Sequence, residues 1–310
     1  MKHLALLALL AAPAAHAADR MSVMLDWYVN PDHGPIIVAQ QLGYFAEAGL
    51  EVEIIAPADP SEPPKMAAAG KVDLAVGYQP QLYLQHDAGL PLVRVGTLID
   101  RPLYCVLAKA EGPVGTLADL KGRTVGYSVP GVEQALMGGM LKHNGVDPDQ
   151  VTWVNVNFSL VPALASGQVD AVSGAFRNFE PHQLAALGQA GVCFRPEENG
   201  IPVYDELIYE ANPQTMDRGR VVRFLTATAR AAALIADDPE QGWEAYRSYA
   251  ADLDDPLNRA AWAETIAYFD PQPMALDAAR YAEFGAFLER AGLIGTAPEP
   301  GEIAIDPSKP

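Results

Sequence analysis

Cysteine is scarce: the chain has two in 310 residues, Cys105 and Cys193. Two thiols cannot staple a small scaffold together or complete a four-cysteine zinc site. Positive charge is scarce too, with 21 Lys plus Arg against 39 Asp plus Glu and a formal net charge of −18. A surface of that sign repels phosphate backbones and anionic headgroups, so neither nucleic acid nor a membrane surface is an expected partner. Beyond residue 17 no apolar run is long enough to cross a bilayer. His33, His86, His143 and His182 lack metal-ligand spacing, and no glycine-rich nucleotide loop is present. Ser128 lies in no nucleophile-elbow pattern. No metal or cofactor is expected. What the chain does have is apolar material for a sizeable core: 50% of residues are hydrophobic and 19% charged, which excludes a disordered or collagen-like chain.

The long apolar run stands at the start. Lys2 and His3 precede an apolar stretch at 4–12, and Ala15-His16-Ala17 offers small residues at the spacing of a cleavage site. This reads as a secretory signal peptide over 1–17, cut after Ala17, and predicts a periplasmic mature chain. An oxidising compartment permits Cys105 and Cys193 to pair. Each also sits in an apolar run, where cysteine serves as a small buried hydrophobe, and spacing does not supply the Cα separation that decides.

From residue 21 to about 211, short β-branched runs alternate with helical patterns. Strands are predicted at 22–26, 51–55, 73–77, 92–96, 124–127, 152–156, 170–173 and 192–195. Alternation of this kind implies α/β architecture with parallel-rich sheets and crossover helices. From 214 onward the pattern is helical, at 221–236, 240–250, 257–269 and 277–291, punctuated by Asp-Pro pairs at 238, 255 and 270. An internal echo links 65–77 (KMAAAGKVDLAVG) with 161–174 (VPALASGQVDAVSG). Each copy reads as helix, glycine cap, then a strand opening on Val-Asp. Two copies fit two similar lobes. Ligands gather beyond the carboxyl ends of strands in open α/β sheets, so Tyr78 and Phe176 are expected to face each other across a cleft.

The run 25–39 (LDWYVNPDHGPIIVA), followed by GYF at 43–45 and GLEV at 49–52, resembles the opening of bacterial periplasmic solute-binding proteins. The branch it resembles holds formylaminopyrimidine- and hydroxymethylpyrimidine-binding proteins of ABC importers together with the yeast-type pyrimidine precursor synthases. GKVD at 70–73, LKGRTVGY at 120–127 and the helical tail extend the likeness over nearly the whole chain after residue 17. The resemblance implies a two-lobed, type II-like periplasmic binding protein with two crossings. One lobe is expected over 18–106 plus 206–310, the other over 107–205. It further implies a monomer that hands a small pyrimidine to an ABC permease and its ATPase.

Similar synthases hold pyridoxal phosphate on a lysine and consume a histidine four residues later, just after the GKVD strand. The matching positions here are Gly77 and Gln81, which offer neither an amine nor an imidazole. The chain therefore reads as a binder. A 4-aminopyrimidine needs aromatic faces and a group that reads its amine edge. Trp27, after the first strand, is the first candidate for stacking, against the plainer reading of a core tryptophan. Tyr78 is a second aromatic candidate. The resemblance suggests Glu180 as the carboxylate for the ligand amine; the plainer reading is a helix N-terminal glutamate favoured by the dipole. Phe176, Asn178, Asn30 and Ser128 complete the candidate set, with His33 placed at or near the ligand by the resemblance. Arg177 is a candidate partner for Glu180. The competing cargo is a sulfonate, nitrate or other organic anion, which Ser128, Arg101 and Arg177 would serve and Glu180 would oppose.

Overall fold

A computed structural model describes residues 18–309, so the signal-peptide reading of 1–17 lies outside the described residues. The strands are β1 (Asp19–Met24), β2 (Leu50–Ile55), β3 (Leu74–Gly77), β4 (Val93–Ile99), β5 (Tyr104–Lys109), β6 (Thr124–Tyr127), β7 (Thr152–Asn155), β8 (Ala171–Phe176), β9 (Gly191–Phe194) and β10 (Leu207–Ala211). They form two five-stranded sheets, ordered β2-β1-β3-β10-β4 and β7-β6-β8-β5-β9. The fold is the expected mixed α/β architecture of two sheets flanked by helices.

The two sheets share one plan. In the first, β1 runs parallel to β2 and β3, and β10 is antiparallel to β3 and β4. In the second, β6 runs parallel to β7 and β8, and β5 is antiparallel to β8 and β9. Each antiparallel strand is the one that arrives from the other sheet. These two strands, β5 and β10, are also the ones the strand-helix alternation missed. Neither follows a crossover helix of its own sheet, so the repeating pattern does not reach them.

The echo is structural as well. The helix Leu160–Ser166 ends on Gly167 at φ 77°, and Gly70 after the helix Pro63–Ala68 takes φ 63°, both in the left-handed region that glycine enters without strain. The aspartate opening each repeated strand anchors its parallel neighbour. Asp73 accepts from the Ser22 amide of β1 at 2.8 Å, and Asp170 accepts from the Thr124 amide of β6 at 3.0 Å. In the tail, Asp238 and Asp255 cap the helices Pro239–Arg247 and Pro256–Thr265, each with proline in the first turn. Asp217 and Asp277 cap Arg218–Asp237 and Ala278–Arg290 in the same way. Cys105 of β5 and Cys193 of β9 are joined in a disulfide, with Cα atoms 5.4 Å apart.

One buried carboxyl has no hydrogen-bond partner among the described residues. Glu210 of β10 is fully buried, and neither carboxyl oxygen finds a hydrogen bond among the described residues. It lies against Gly77, where an added Cβ would come within 2.6 Å of its carboxyl carbon. Burial pushes its pKa from 4.5 up to about 8. The folded chain thus keeps a proton that the unfolded chain releases near 4.5, so this group's contribution is full below that pH. It is lost progressively as pH rises to about 8. Glu210→Gln is expected to remove that part of the slope. Urea midpoints of variant and wild type should separate in the variant's favour between pH 5 and pH 8.5, and parallel curves would refute the assignment.

Candidate functional site

The carboxyl ends of β1 and β3 face those of β6 and β8 across a cleft. Trp27 follows β1, Tyr78 follows β3, Ser128 follows β6, and Phe176 closes β8. All four line the cleft with Asn30 and Glu180, so six of the eight candidates meet there. The arrangement comes from parallel strands, whose ends point the same way and leave the connecting turns free to carry function.

Trp27 crosses from one sheet's territory to the other's. Its ring stands edge-on to Phe158 with centroids 4.6 Å apart, and it joins the buried cluster of Cys105, Leu107 and Val156 under the second sheet. Its Nε1 is buried without a hydrogen-bond partner among the described residues. Tyr78 and Phe176 meet edge to face at 6.4 Å, from opposite sides. The side chain of Gln81 donates to the Pro130 carbonyl at 3.0 Å, a further tie across the cleft. Residues from both sides are thus in contact.

A buried aspartate holds the first wall. Asp26 accepts from the Tyr78 hydroxyl at 2.7 Å and pairs with His33 Nε2 at 2.8 Å. The other imidazole nitrogen accepts from the Asn30 amide, so the ring proton lies on Nε2 and points at Asp26. His33 is fully buried and does not line the cleft. The resemblance placed it at or near the ligand; here its two nitrogens are engaged within the protein, by Asp26 and by the Asn30 amide, behind the lining. Asn178 does not line the cleft either. Its amide donates to Asp32 Oδ1 and to Thr265 Oγ1, both at 2.6 Å, linking the β8 side to the first lobe's loop and tail away from the lining.

Two other candidates line the cleft with part of their capacity used. The Asn30 side chain accepts from the Asp32 amide at 2.8 Å and donates to the Tyr28 carbonyl. Ser128 donates its hydroxyl to the Asn157 carbonyl. Arg177 does not meet Glu180. It holds Glu197 through both terminal nitrogens, at 2.5 and 2.9 Å, and donates to the Leu103 and Tyr104 carbonyls. Arg101 lies outside the cleft, beside Asp100 and over the Tyr268 ring.

Glu180 begins the helix Glu180–Ala186, and its Oε2 accepts the Phe176 amide at 2.7 Å. Burial, aided by Asp32 and Asp26 and opposed by that amide, pushes its carboxyl up to about 8. Burial likewise raises Asp32 to about 6 against the help of the Asn178 amide. Glu206, just before β10, accepts the Leu103 and Tyr104 amides at 2.6 and 2.8 Å and the Tyr204 hydroxyl at 3.2 Å. Burial still raises it to about 7.

The cleft thus carries four carboxyls, Asp26, Asp32, Glu180 and Glu206, and six aromatic rings, Trp27, Tyr78, Tyr104, Tyr127, Phe176 and Phe179. Among the described residues no Lys, Arg or His lines it. The candidate set lacked three of those carboxyls and three of those rings. Asp26 and Asp32 flank Trp27 within the family-like run 25–39, and Tyr127 closes the segment 120–127. Glu206 had no signal, because it precedes a strand that the alternation does not reach. Gly77 and Gln81 offer pyridoxal phosphate no amine, and Glu210 occupies the space a side chain at Gly77 would need. Among the described residues no cluster of three or more His, Cys, Asp or Glu is arranged to hold a metal ion.

Known proteins resemble this chain in sequence and in fold. The pattern of the family described as NMT1/THI5 like matches residues 30–242. A Haemophilus influenzae protein named for thiamine biosynthesis is 51% identical over 94% of this chain and 93% of its own. A formylaminopyrimidine-binding protein of Halalkalibacterium halodurans is 38% identical over 70% of this chain and 65% of its own. A 4-amino-5-hydroxymethyl-2-methylpyrimidine phosphate synthase of Legionella pneumophila is 28% identical over 81% of this chain and 80% of its own. Among solved structures, the alkanesulfonate-binding protein SsuA of Xanthomonas axonopodis pv. citri superposes with a TM-score of 0.74 at 16% identity. It covers 94% of this chain and 100% of that one, a likeness of fold.

The buried bonds of His33 make it a stability residue. His33→Ala leaves Asp26 and the Asn30 amide each short of a partner and is expected to cost about 1–3 kcal/mol in ligand-free denaturation. A variant as stable as wild type, weakened only in ligand capture, would return His33 to the ligand.

Proposed function

Because this chain belongs to the NMT1/THI5-like family, we propose that it is the periplasmic binding component of an ABC importer, capturing a thiamine-precursor pyrimidine. The cargo is hydroxymethylpyrimidine or formylaminopyrimidine, passed to a permease and its ATPase. The chain divides into lobes 18–106 plus 206–310 and 107–205, and closure of the lobes buries the ring. The observation that carries this reading is the lining itself: aromatic walls and carboxyls with no basic side chain among the described residues. A flat heterocycle bearing an amine finds stacking surface and acceptors there. An organic anion finds neither a cation nor relief from the acidic groups. The replacement of the synthase lysine and histidine by Gly77 and Gln81 supports capture over synthesis.

Titration calorimetry with the two pyrimidines tests the assignment, with a saturable heat expected from at least one. No heat and no thermal shift from either would reject it. Trp27→Ala is expected to weaken capture by roughly 1–3 kcal/mol, the usual worth of a ring stacked on an aromatic side chain. Glu180→Gln should weaken it about tenfold or more, since a charge-assisted hydrogen bond contributes roughly 1.5–3 kcal/mol. Sulfonate or nitrate should bind neither the wild type nor that variant. Incubation with pyridoxal phosphate should give no lysine-imine absorbance, and a clear imine band would restore the synthase reading.

A further inference from the structure

Among the described residues no basic side chain lines the cleft beside its carboxyls, and this bears on the form in which a guest is held. Glu180 faces Asp26, Asp32 and Tyr28 from the loop after β1, Tyr78 from the end of β3, and Glu206 from the start of β10. The cations nearby are spent elsewhere. Arg177 is forked onto Glu197 and the carbonyls of 103 and 104. His33 donates to Asp26 from behind the wall, and His182 pairs with Glu264 at 2.9 Å on the outer side. The carboxyls are fixed in place: Phe176 holds Glu180, Asn178 holds Asp32, Tyr78 holds Asp26, and the 103–104 amides hold Glu206. Burying even one unpaired carboxylate costs several kcal/mol, so burial here favours the protonated carboxyl.

We propose that the cleft is selective for a planar organic cation and holds its heterocycle in a positively charged form, with the charge shared between the ring nitrogen and the amine facing Glu180. This rests on reading the cleft as the heterocycle's site. Two features converge on it. The carboxyls supply the negative charge, and the faces of Trp27, Tyr78 and Phe176 attract a cation through their ring quadrupoles. A guest that arrives charged displaces a proton from the carboxyls. A guest that arrives neutral takes up the proton the cleft already holds. Either way the filled site carries an ion pair in place of a buried neutral acid. The raised carboxyl of Glu180, about 8, is consistent with a proton being available at neutral pH.

Two ring compounds of nearly equal shape test the charge preference on the native chain. At pH 7, 4-aminopyridine is a cation whose charge is shared between ring nitrogen and amine, whereas aniline is neutral and carries the same amine. Calorimetry is expected to give the aminopyridinium an affinity at least tenfold above that of aniline, with net proton release seen as a buffer-dependent heat. Equal affinities, or no binding of the aminopyridinium at millimolar concentration, would overturn the proposal. If hydroxymethylpyrimidine or formylaminopyrimidine binds while the aminopyridinium does not, the charge preference fails and the function stands. If the aminopyridinium binds ahead of aniline while neither pyrimidine binds, the cargo assignment fails and the charge preference stands. Glu180→Gln and Asp32→Asn should each narrow the gap between the two compounds, and an unchanged gap in both folded variants would count against it.

Discussion

Taking a carboxyl group out of water is among the more costly things a fold can do, and this cleft does it four times. The surrounding structure makes that burial tolerable. Asp26 is held by a tyrosine hydroxyl and an imidazole, Asp32 by an asparagine amide, Glu180 by a backbone amide, and Glu206 by two backbone amides and a tyrosine. These bonds fix the groups in direction, while no basic side chain lines the cleft beside them among the described residues. Burial ties the protonation of these groups to what surrounds them, because each has lost the water that would otherwise solvate its charge.

The same contacts couple the halves of the molecule. Glu206, beside β10, grips the amides of 103 and 104 where the chain first crosses, while Arg177 grips the carbonyls of the same two residues. One short segment is thus tied to the return crossing on its amide side and to the second sheet on its carbonyl side. Trp27 departs from the first sheet's strand end and completes a hydrophobic cluster beneath the second. The cleft wall is therefore also packing between the two halves.

Duplication explains why the site has two comparable sides. Both sheets repeat one strand order, and an aspartate in each ties the repeated strand to its parallel neighbour. The lobes diverge at the carboxyl end of that strand. After β3 comes Tyr78, which supports Asp26; at the end of β8 comes Phe176, whose amide supports Glu180. A scaffold shared with a sulfonate-binding protein is compatible with different cargo, since the scaffold sets where the strand ends meet and the residues there set the charge.

Local pattern by itself determined much of the architecture. Short β-branched runs, glycine caps, Asp-Pro punctuation and the echo at 65–77 and 161–174 disclosed eight strands, the tail helices and a two-lobed plan, because each depends on neighbours within a few residues. They also place Trp27, Tyr78 and Phe176 at the cleft, since a residue at or just past the end of a parallel strand lies at the sheet's carboxyl edge, whereas Glu180 was suggested by the family resemblance. Tertiary structure alone decided the rest: the antiparallel strands β5 and β10, the pairing of Cys105 with Cys193, the retreat of His33 and Asn178 into supporting bonds, and the convergence of Glu206 with Glu180. Those features bring together residues from distant parts of the chain. Whether a polar side chain faces a guest or a neighbour depends on which partners the fold places within hydrogen-bond reach, and sequence spacing carries no record of that.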